Sequence, residues 1–401
     1  MIMSDVHLAR GYRFGAVHCG VRPDRDRRDL ALIVSDIPAV AAGVFTRNRV
    51  CAAPVIVCRE RLPARDVRGV IVCAGNANAC TGEQGLADAQ RMTELAAGAV
   101  GCRTEQMLVA STGVIGQPLP MNAVADGIPK SAAALSPAMQ SLDAVAHAIC
   151  TTDTRIKIAS RLVMLDAGGE IRVTGIAKGA AMIGPNLATM LAFVLTDAGA
   201  TTPQFLQETI KAAAEGSFNC ISVEGHTSTN DTLLLLANGA SGHAIAGRDL
   251  FQYSRAIVEV CADLARAIAA DAEGAEHLIT IEIEGLPSDE DARRVAKAIA
   301  ESPLVKTAIY GADPNWGRIV SAAGYAGVPF AERDVSLWLG DLPLYRDGMP
   351  LPFDAATASA YLKQNREVTI RLKFAGGPGR CTFWTCDLTP EYVRLNADYT
   401  T

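Results

Sequence analysis

From Lys178 to Asp197 the chain reads Lys-Gly-Ala-Ala-Met-Ile-Gly-Pro-Asn-Leu-Ala-Thr-Met-Leu-Ala-Phe-Val-Leu-Thr-Asp, and no other stretch limits the fold so tightly. Gly184, Pro185 and Asn186 are turn residues. The apolar run that follows has the length of a buried strand. One small hydroxyl residue, Thr189, stands at the junction. A chain that cuts itself at Ala188–Thr189 has this form. The new N-terminal threonine then supplies a hydroxyl nucleophile, and its own α-amine lies close enough to act as the base. Such an amine has an ordinary pKa of about 7.7–8.0, so much of it is neutral near physiological pH. Taken alone, the same residues also fit a threonine at the edge of a core strand.

A chain of 401 residues, 49% hydrophobic and 20% charged, is long enough for two domains or one large α/β unit with a sizeable core. Thirty-five glycines and an aromatic content of 5% imply many tight turns. The net charge is −6, and Lys and Arg are scattered apart from the Arg-Asp alternation at 22–29. Nothing in that pattern points to a nucleic-acid groove or a basic membrane patch, and neither partner is expected. Eleven cysteines, an odd number with no C-x-x-C pair, read as buried thiols in a reducing compartment rather than disulfides or zinc ligands. The N-terminus lacks the basic and apolar regions of a signal peptide, so a cytoplasmic protein is expected. Residues 179–196 carry no charge, but Pro185, Asn186 and Thr189 in their middle argue against a membrane span.

Short apolar runs alternating with helical patterns give an α/β chain. Strands are expected at Leu30–Ser35, Ala53–Cys58, Val70–Cys73, Met107–Ala110, near Ile221–Val223, and at Val368–Leu372 and Cys381–Cys386, and a leucine run spans Leu233–Leu236. Helices are expected at Ala87–Val100, Pro203–Ala214 and Leu250–Ala270. Ile279–Ile283, Asp289–Glu301 and Val305–Tyr310 read as a β-α-β unit that could found a second domain.

Four loops share one style, a strand end followed by small hydroxyl, amide or glycine residues: 75–82, 111–116, 151–154 and 228–231. Such loops expose backbone N–H groups and side-chain oxygens that can cradle a carboxylate or an oxyanion. Each alone is an ordinary turn. Their recurrence beside a candidate nucleophile is the signal. Ser111-Thr112-Gly113 is the best oxyanion-hole candidate, because glycine lets backbone approach a ligand closely. Lys178 is the one cation near Thr189 on its N-terminal side and could pair with a substrate carboxylate; it could equally be a surface lysine. Glu273, taken alone, fits a solvated helix terminus. The six histidines form no H-x-x-x-H pair, and no phosphate-binding loop or serine-hydrolase elbow is present, so no metal is expected.

Ala42–Arg49, Gly75–Gln84, Ser111–Gly116, Thr151–Thr154, Lys178–Asp197, Ser228–Thr232, Gly311–Arg318 and the terminal Asn396–Thr401 together resemble the ornithine acetyltransferases of arginine biosynthesis, also called glutamate N-acetyltransferases. The resemblance runs in order through nearly the whole chain. It implies a self-processed enzyme that moves an acetyl group from N2-acetylornithine to glutamate. By that resemblance Thr189 is the nucleophile, Thr112 and Gly113 form the oxyanion hole, and Thr152, Lys178, Thr189, Glu273, Asn396 and Thr401 bind substrate. Thr151 stands beside Thr152 in its motif.

The implied fold is a two-domain mixed α/β sandwich-like structure with the nucleophile at the start of a central buried strand. Residues 1–274 would form the catalytic domain and 275–388 a smaller α/β domain, with the tail 389–401 returning to the active site. Cleavage would give chains 1–188 and 189–401, and the implied assembly is two α and two β chains. No cofactor is expected, and acetyl-CoA is left open as a second acetyl donor. A hydrolase with the same nucleophile and a non-catalytic amino-acid-binding protein are the two rival readings.

The chain departs from the family pattern in three places. Gly184-Pro-Asn-Leu187 replaces Ala-Pro-Asn-Met, Glu224-Gly-His226-Thr227 replaces Asp-Gly-Asp-Thr, and Glu276-His277 replaces Thr-Lys. If Glu276 and His277 face the pocket, they make it more negative and disfavour glutamate. If they face solvent, they change nothing.

Overall fold

The computed structural model describes residues 6–166, 168–184, 190–199 and 202–398. Thr189, Ala188 and Thr401 lie outside these residues. In the N-terminal part the strands are β1 (Tyr12–Val17), β2 (Leu30–Phe45), β3 (Ala64–Asn76), β4 (Met107–Val114), β5 (Lys157–Met164), β6 (Glu170–Lys178), β7 (Leu191–Thr196) and β8 (Thr232–Ala237). The helices are α1 (Ala53–Arg61), α2 (Gly82–Val100), α3 (Met121–Ala133), α4 (Met139–Ile149), α5 (Pro203–Glu215) and α6 (Asp249–Ala270). These strands form one mixed sheet in the order β4-β3-β2-β8-β7-β6-β5, with β1 paired to β2.

The continuous apolar runs of β7 and β8 have a direct cause. Leu191, Phe193, Leu195, Leu234 and Leu236 enter the core shared with α2, α3 and α4. Their alternates Ala192, Val194, Leu233 and Leu235 enter the core shared with α5 and α6. Successive side chains of a strand point to opposite faces, so burial on both faces removes the need for polar alternation.

The second sheet holds β9 (Leu278–Leu286), β10 (Ser336–Leu339), β11 (Leu342–Arg346), β12 (Met349–Pro350), β13 (Glu367–Lys373) and β14 (Gly379–Cys386). Its order is β12-β11-β10-β13-β9-β14. The helices α7 (Asp289–Ala300), α8 (Pro303–Tyr310), α9 (Trp316–Gly324) and α10 (Ala355–Gln364) accompany it, and α11 (Pro390–Asp398) follows. The chain is therefore mixed α/β throughout. No described helix is long and apolar enough to cross a membrane.

Three expected strands are absent. Ala53–Cys58 is the start of α1, which has Pro54 in its first turn, where a missing N–H costs nothing. Its Cys58 thiol donates to the Val109 carbonyl of β4 at 3.1 Å. Val305–Tyr310 is α8, and the unit is β-α-α: Ser302 caps the helix by accepting the Val305 N–H, and Pro303 follows it. Ile221–Val223 makes only a single bridge, Ile221 to Trp384. All eleven cysteines are free thiols, six of them buried and only Cys80 exposed.

Candidate active site

The four small-residue loops converge on one cleft of about 220 Å³. Ala77, Thr112, Gly113, Thr151, Thr152, Ser228, Thr229 and Asn230 line it, with Lys178 and Glu273 from further along the chain and Asn396 from α11. Every described residue that the sequence singled out for catalysis or binding is therefore in the same wall.

Backbone geometry explains the glycines. β3 and β4 run parallel with Gly75 opposite Gly113. Gly113 has φ +134°, and a Cβ there would lie 2.2 Å from the Gly75 carbonyl carbon. The close approach that demands glycine is thus to the neighbouring strand, and it leaves the end of β4 open to the cleft. Asn230 ties the two loops together, donating to the Ala77 carbonyl at 2.6 Å and the Ser111 carbonyl at 2.8 Å. The 228–231 loop is itself held by the segment after β2. Thr46 donates to the Ser228 carbonyl at 2.6 Å, and Asn48 donates to the Thr227 carbonyl at 3.0 Å. That is the work of the 42–49 motif. The 311–318 motif contributes no residue to the cleft; Asn315 caps α9 by accepting the Arg318 N–H at 3.1 Å.

Lys178 is buried, at 3% exposure, so the surface-lysine reading fails. Its Nζ donates to Thr112 Oγ1 at 3.2 Å. Burial pulls its pKa below the ordinary lysine value, and Asp153 partly restores it. Asp153 is in turn held down to about 2: burial opposes its charge, but Lys178 and Lys157 outweigh burial. Lys157 bridges Asp153 at 2.6 Å and Asp271 at 2.7 Å. Asp271 also receives the Thr154 N–H at 3.1 Å, which fixes the 151–154 loop. A buried charge is tolerable only when paired in this way.

Glu273 and Asn396 meet across the mouth of the cleft, Asn396 Nδ2 donating to Glu273 Oε2 at 3.2 Å. Thr389 donates to the Gly274 carbonyl at 2.6 Å and so docks the start of α11 on this corner. Tyr392 of α11 also lines the cleft. Sequence reasoning did not single out Tyr392 or Glu224 as site residues; Glu224 stood out only as a departure from the family pattern. Asp231 was named only within its motif. It accepts the Met190 N–H at 3.2 Å and so positions the residue that follows Thr189. Burial raises its pKa well above the carboxylate range.

Glu276 and His277 do not line the cleft. Glu276 is exposed. His277 faces the junction with the second sheet, with Nδ1 2.6 Å from Asp387 Oδ2 and Nε2 3.0 Å from the Leu362 carbonyl. Both partners are acceptors, so the imidazolium suits both contacts, and the Asp387 bond raises the His277 pKa against burial. The bias against glutamate that a pocket-facing pair would give has no structural basis, because neither residue lines the cleft. His277 acts on stability instead, through its bond to Asp387. His277 contributes fully below its unfolded pKa of about 6.5, and the contribution fades as pH rises through the raised folded value. His277→Ala should therefore melt a few degrees below wild type near pH 6, with a gap that narrows by about pH 9. Thermal melts at both pH values check this, and a gap that does not narrow would refute it.

The ArgJ family matches residues 13–401. The arginine biosynthesis bifunctional protein ArgJ of Thermosynechococcus vestitus is 46% identical over 421 residues, covering 100% of this chain and 99% of that protein. The arginine biosynthesis bifunctional protein ArgJ 1 of Nostoc sp. is 46% identical over 413 residues, covering 100% and 98%. A crystal structure of arginine biosynthesis bifunctional protein ArgJ from Bacillus halodurans is 39% identical with a TM-score of 0.49, covering 52% of this chain and 98% of that one. With a family match over nearly its whole length and relatives this similar from end to end, the chain belongs to the ArgJ family.

Proposed function

We propose that the chain is an acetyltransferase of arginine biosynthesis that moves an acetyl group from N2-acetylornithine to glutamate through an acetyl-Thr189 ester. The observation that carries this reading is the gathering of Thr112, Gly113, Thr152, Lys178, Glu273 and Asn396 into one cleft from segments far apart in the chain. Thr189, freed by cleavage at Ala188–Thr189, attacks the acetamide carbonyl, and its α-amine takes the proton. Thr112 and the backbone at Gly113 stabilise the oxyanion; one such donor is worth roughly 2.7–4 kcal/mol in comparable sites. Lys178, beside Thr112, pairs with the α-carboxylate that donor and acceptor share. Thr152, Glu273, Asn396 and Thr401 complete the substrate site.

Ornithine leaves with the proton that Thr189 gave up, and the amine of glutamate then attacks the ester. The bifunctional designation of the relatives supports acetyl-CoA as a second donor, free in solution rather than a bound cofactor. The catalytic unit is residues 1–274 and the smaller one 275–388, a division supported by the segregation of β1–β8 and β9–β14 into separate sheets. Chains 1–188 and 189–401 form a cytoplasmic assembly of two α and two β subunits.

One pocket that holds donor and acceptor in turn must work by double displacement. Initial-rate lines against acetylornithine at several glutamate levels should be parallel, and intersecting lines would mean direct transfer in a ternary complex. Release of ornithine and acetate at full rate without glutamate would instead make the chain a hydrolase.

A further inference from the structure

Glu224 is an acid of the cleft with no part in the chemistry above. Glu224 lines the wall with Glu273, His226, Tyr392 and Asn396. Its Oε1 accepts the backbone N–H of Ile183. Its Oε2 is buried and has no hydrogen-bond partner among the described residues. A buried polar atom left open costs free energy until something completes it. The carboxyl is also held in place. The Ile183 carbonyl accepts the N–H groups of Val223 at 2.8 Å and Gly225 at 3.2 Å, so the backbone on both sides of Glu224 is tied to the residue whose N–H Glu224 binds.

Two different side chains must use this wall. In the transferase reading, on which this inference rests, Lys178 and Thr112 take the α-carboxylate and the reacting carbonyl. The acidic wall is left for the far end of the substrate. Acetylornithine ends there in an ammonium, and glutamate ends in a carboxylate. A fixed charge would suit one and repel the other. We propose that Glu224 is a specificity-determining residue that recognises both substrates by changing its protonation. Ionised, the carboxyl accepts from the ornithine ammonium; protonated, its O–H donates to the γ-carboxylate of glutamate. The proton leaves to water when the cation binds and returns from water when glutamate replaces it.

The surroundings suit such an exchange. Burial lifts Glu224 to about 8, with Glu273 adding to the rise and the Ile183 N–H, Lys306 and the His226 backbone opposing it. The acid therefore holds its proton at neutral pH, yet a bound ammonium can displace it. The other groups around it do not do this work. Lys306 is committed to Thr385 Oγ1 at 3.1 Å and to the Cys386 thiol at 3.4 Å. Burial keeps the Cys386 thiol and the Tyr392 phenol in their neutral forms, Tyr392 being pushed up to about 12. Glu301 accepts from Ser222 at 3.2 Å, and Glu273 is bonded to Asn396. His226 is exposed, and its backbone, not its ring, bears on Glu224.

Glu224→Gln tests this, because the amide still accepts from Ile183 and still donates but cannot ionise. Acetylation by acetylornithine should lose about tenfold or more in kcat/KM, while deacylation by glutamate changes by less than about threefold. In wild type, glutamate kcat/KM should fall as pH passes the Glu224 value, and the ratio to the variant should isolate that fall from titration of the amines. Equal losses for both substrates, no loss for either, or a constant ratio across pH would overturn the proposal.

Complete cleavage at Ala188–Thr189 and an unchanged melt report that the variant is folded. If it is not, glutamine as acceptor serves with the wild-type enzyme: the fall should be present for glutamate and absent for glutamine, and identical profiles would overturn the idea. Wild type that transfers no acetyl group at all would refute the transferase reading, which is a separate result.

Discussion

Thr189→Ala should yield a single 401-residue chain with acetyl transfer reduced on the order of 10⁶-fold. Two functions depend on this hydroxyl in the proposed chemistry. It attacks the peptide bond before it in processing, and it attacks the acetamide in turnover, with the α-amine that processing releases as its base. Alanine removes the nucleophile from both. Denaturing electrophoresis and an acetyl-transfer assay read the two effects separately. Two fragments from the purified variant would show that a protease, not the threonine, makes the cut. Full activity in an uncut variant would remove Thr189 from the mechanism altogether.

Lys178→Met has the next largest expected effect. Methionine keeps the apolar stem of the side chain and removes the ammonium. Asp153 is not left alone, because Lys157 remains 2.6 Å from it. The variant should therefore fold and cut itself. If Lys178 binds the shared α-carboxylate, KM for acetylornithine and for glutamate should rise together, with kcat/KM reduced on the order of a hundredfold for each. Because burial lowers the Lys178 pKa, its charge is lost at lower pH than for an exposed lysine. Wild-type KM should accordingly climb on the alkaline side sooner than an ordinary lysine would dictate. Unchanged KM values in Lys178→Met would assign the lysine to Asp153 alone.

The site was legible where local chemistry and position coincide. Thr112, Gly113, Lys178 and Asn396 belong to motifs whose small, polar or charged residues sit at element ends, and these ends meet in the cleft. Other features depend on long-range packing. Val55 and Val57 favour a strand, yet Pro54 and the fit of Cys58 against β4 make a helix. The Ser302-Pro303 pair before Val305 was a readable helix start that the apolar run obscured. Glu224 is marked in the sequence only as a departure from the family pattern; that Ile183 takes one of its oxygens and the other lies buried without a partner among the described residues is set by packing. His277 could not be placed from spacing, since Asp387 lies 110 residues away.

The order of the first sheet has a consequence for the two fragments that cleavage would leave. Strands β7 and β8 belong to the C-terminal fragment, yet they lie between β2 and β6 of the N-terminal one. Val40 to Phe45 pair with Ala237 to Thr232 on one side, and Val173 to Lys178 pair with Thr196 to Leu191 on the other. The fragments are interlocked, like a tenon in its mortise, and pulling them apart would open two ladders and both apolar layers at once. Each fragment made alone would carry bare inner strand edges, which are templates for aggregation. Folding would therefore come before cutting, and the cut would release a terminus without releasing a subunit.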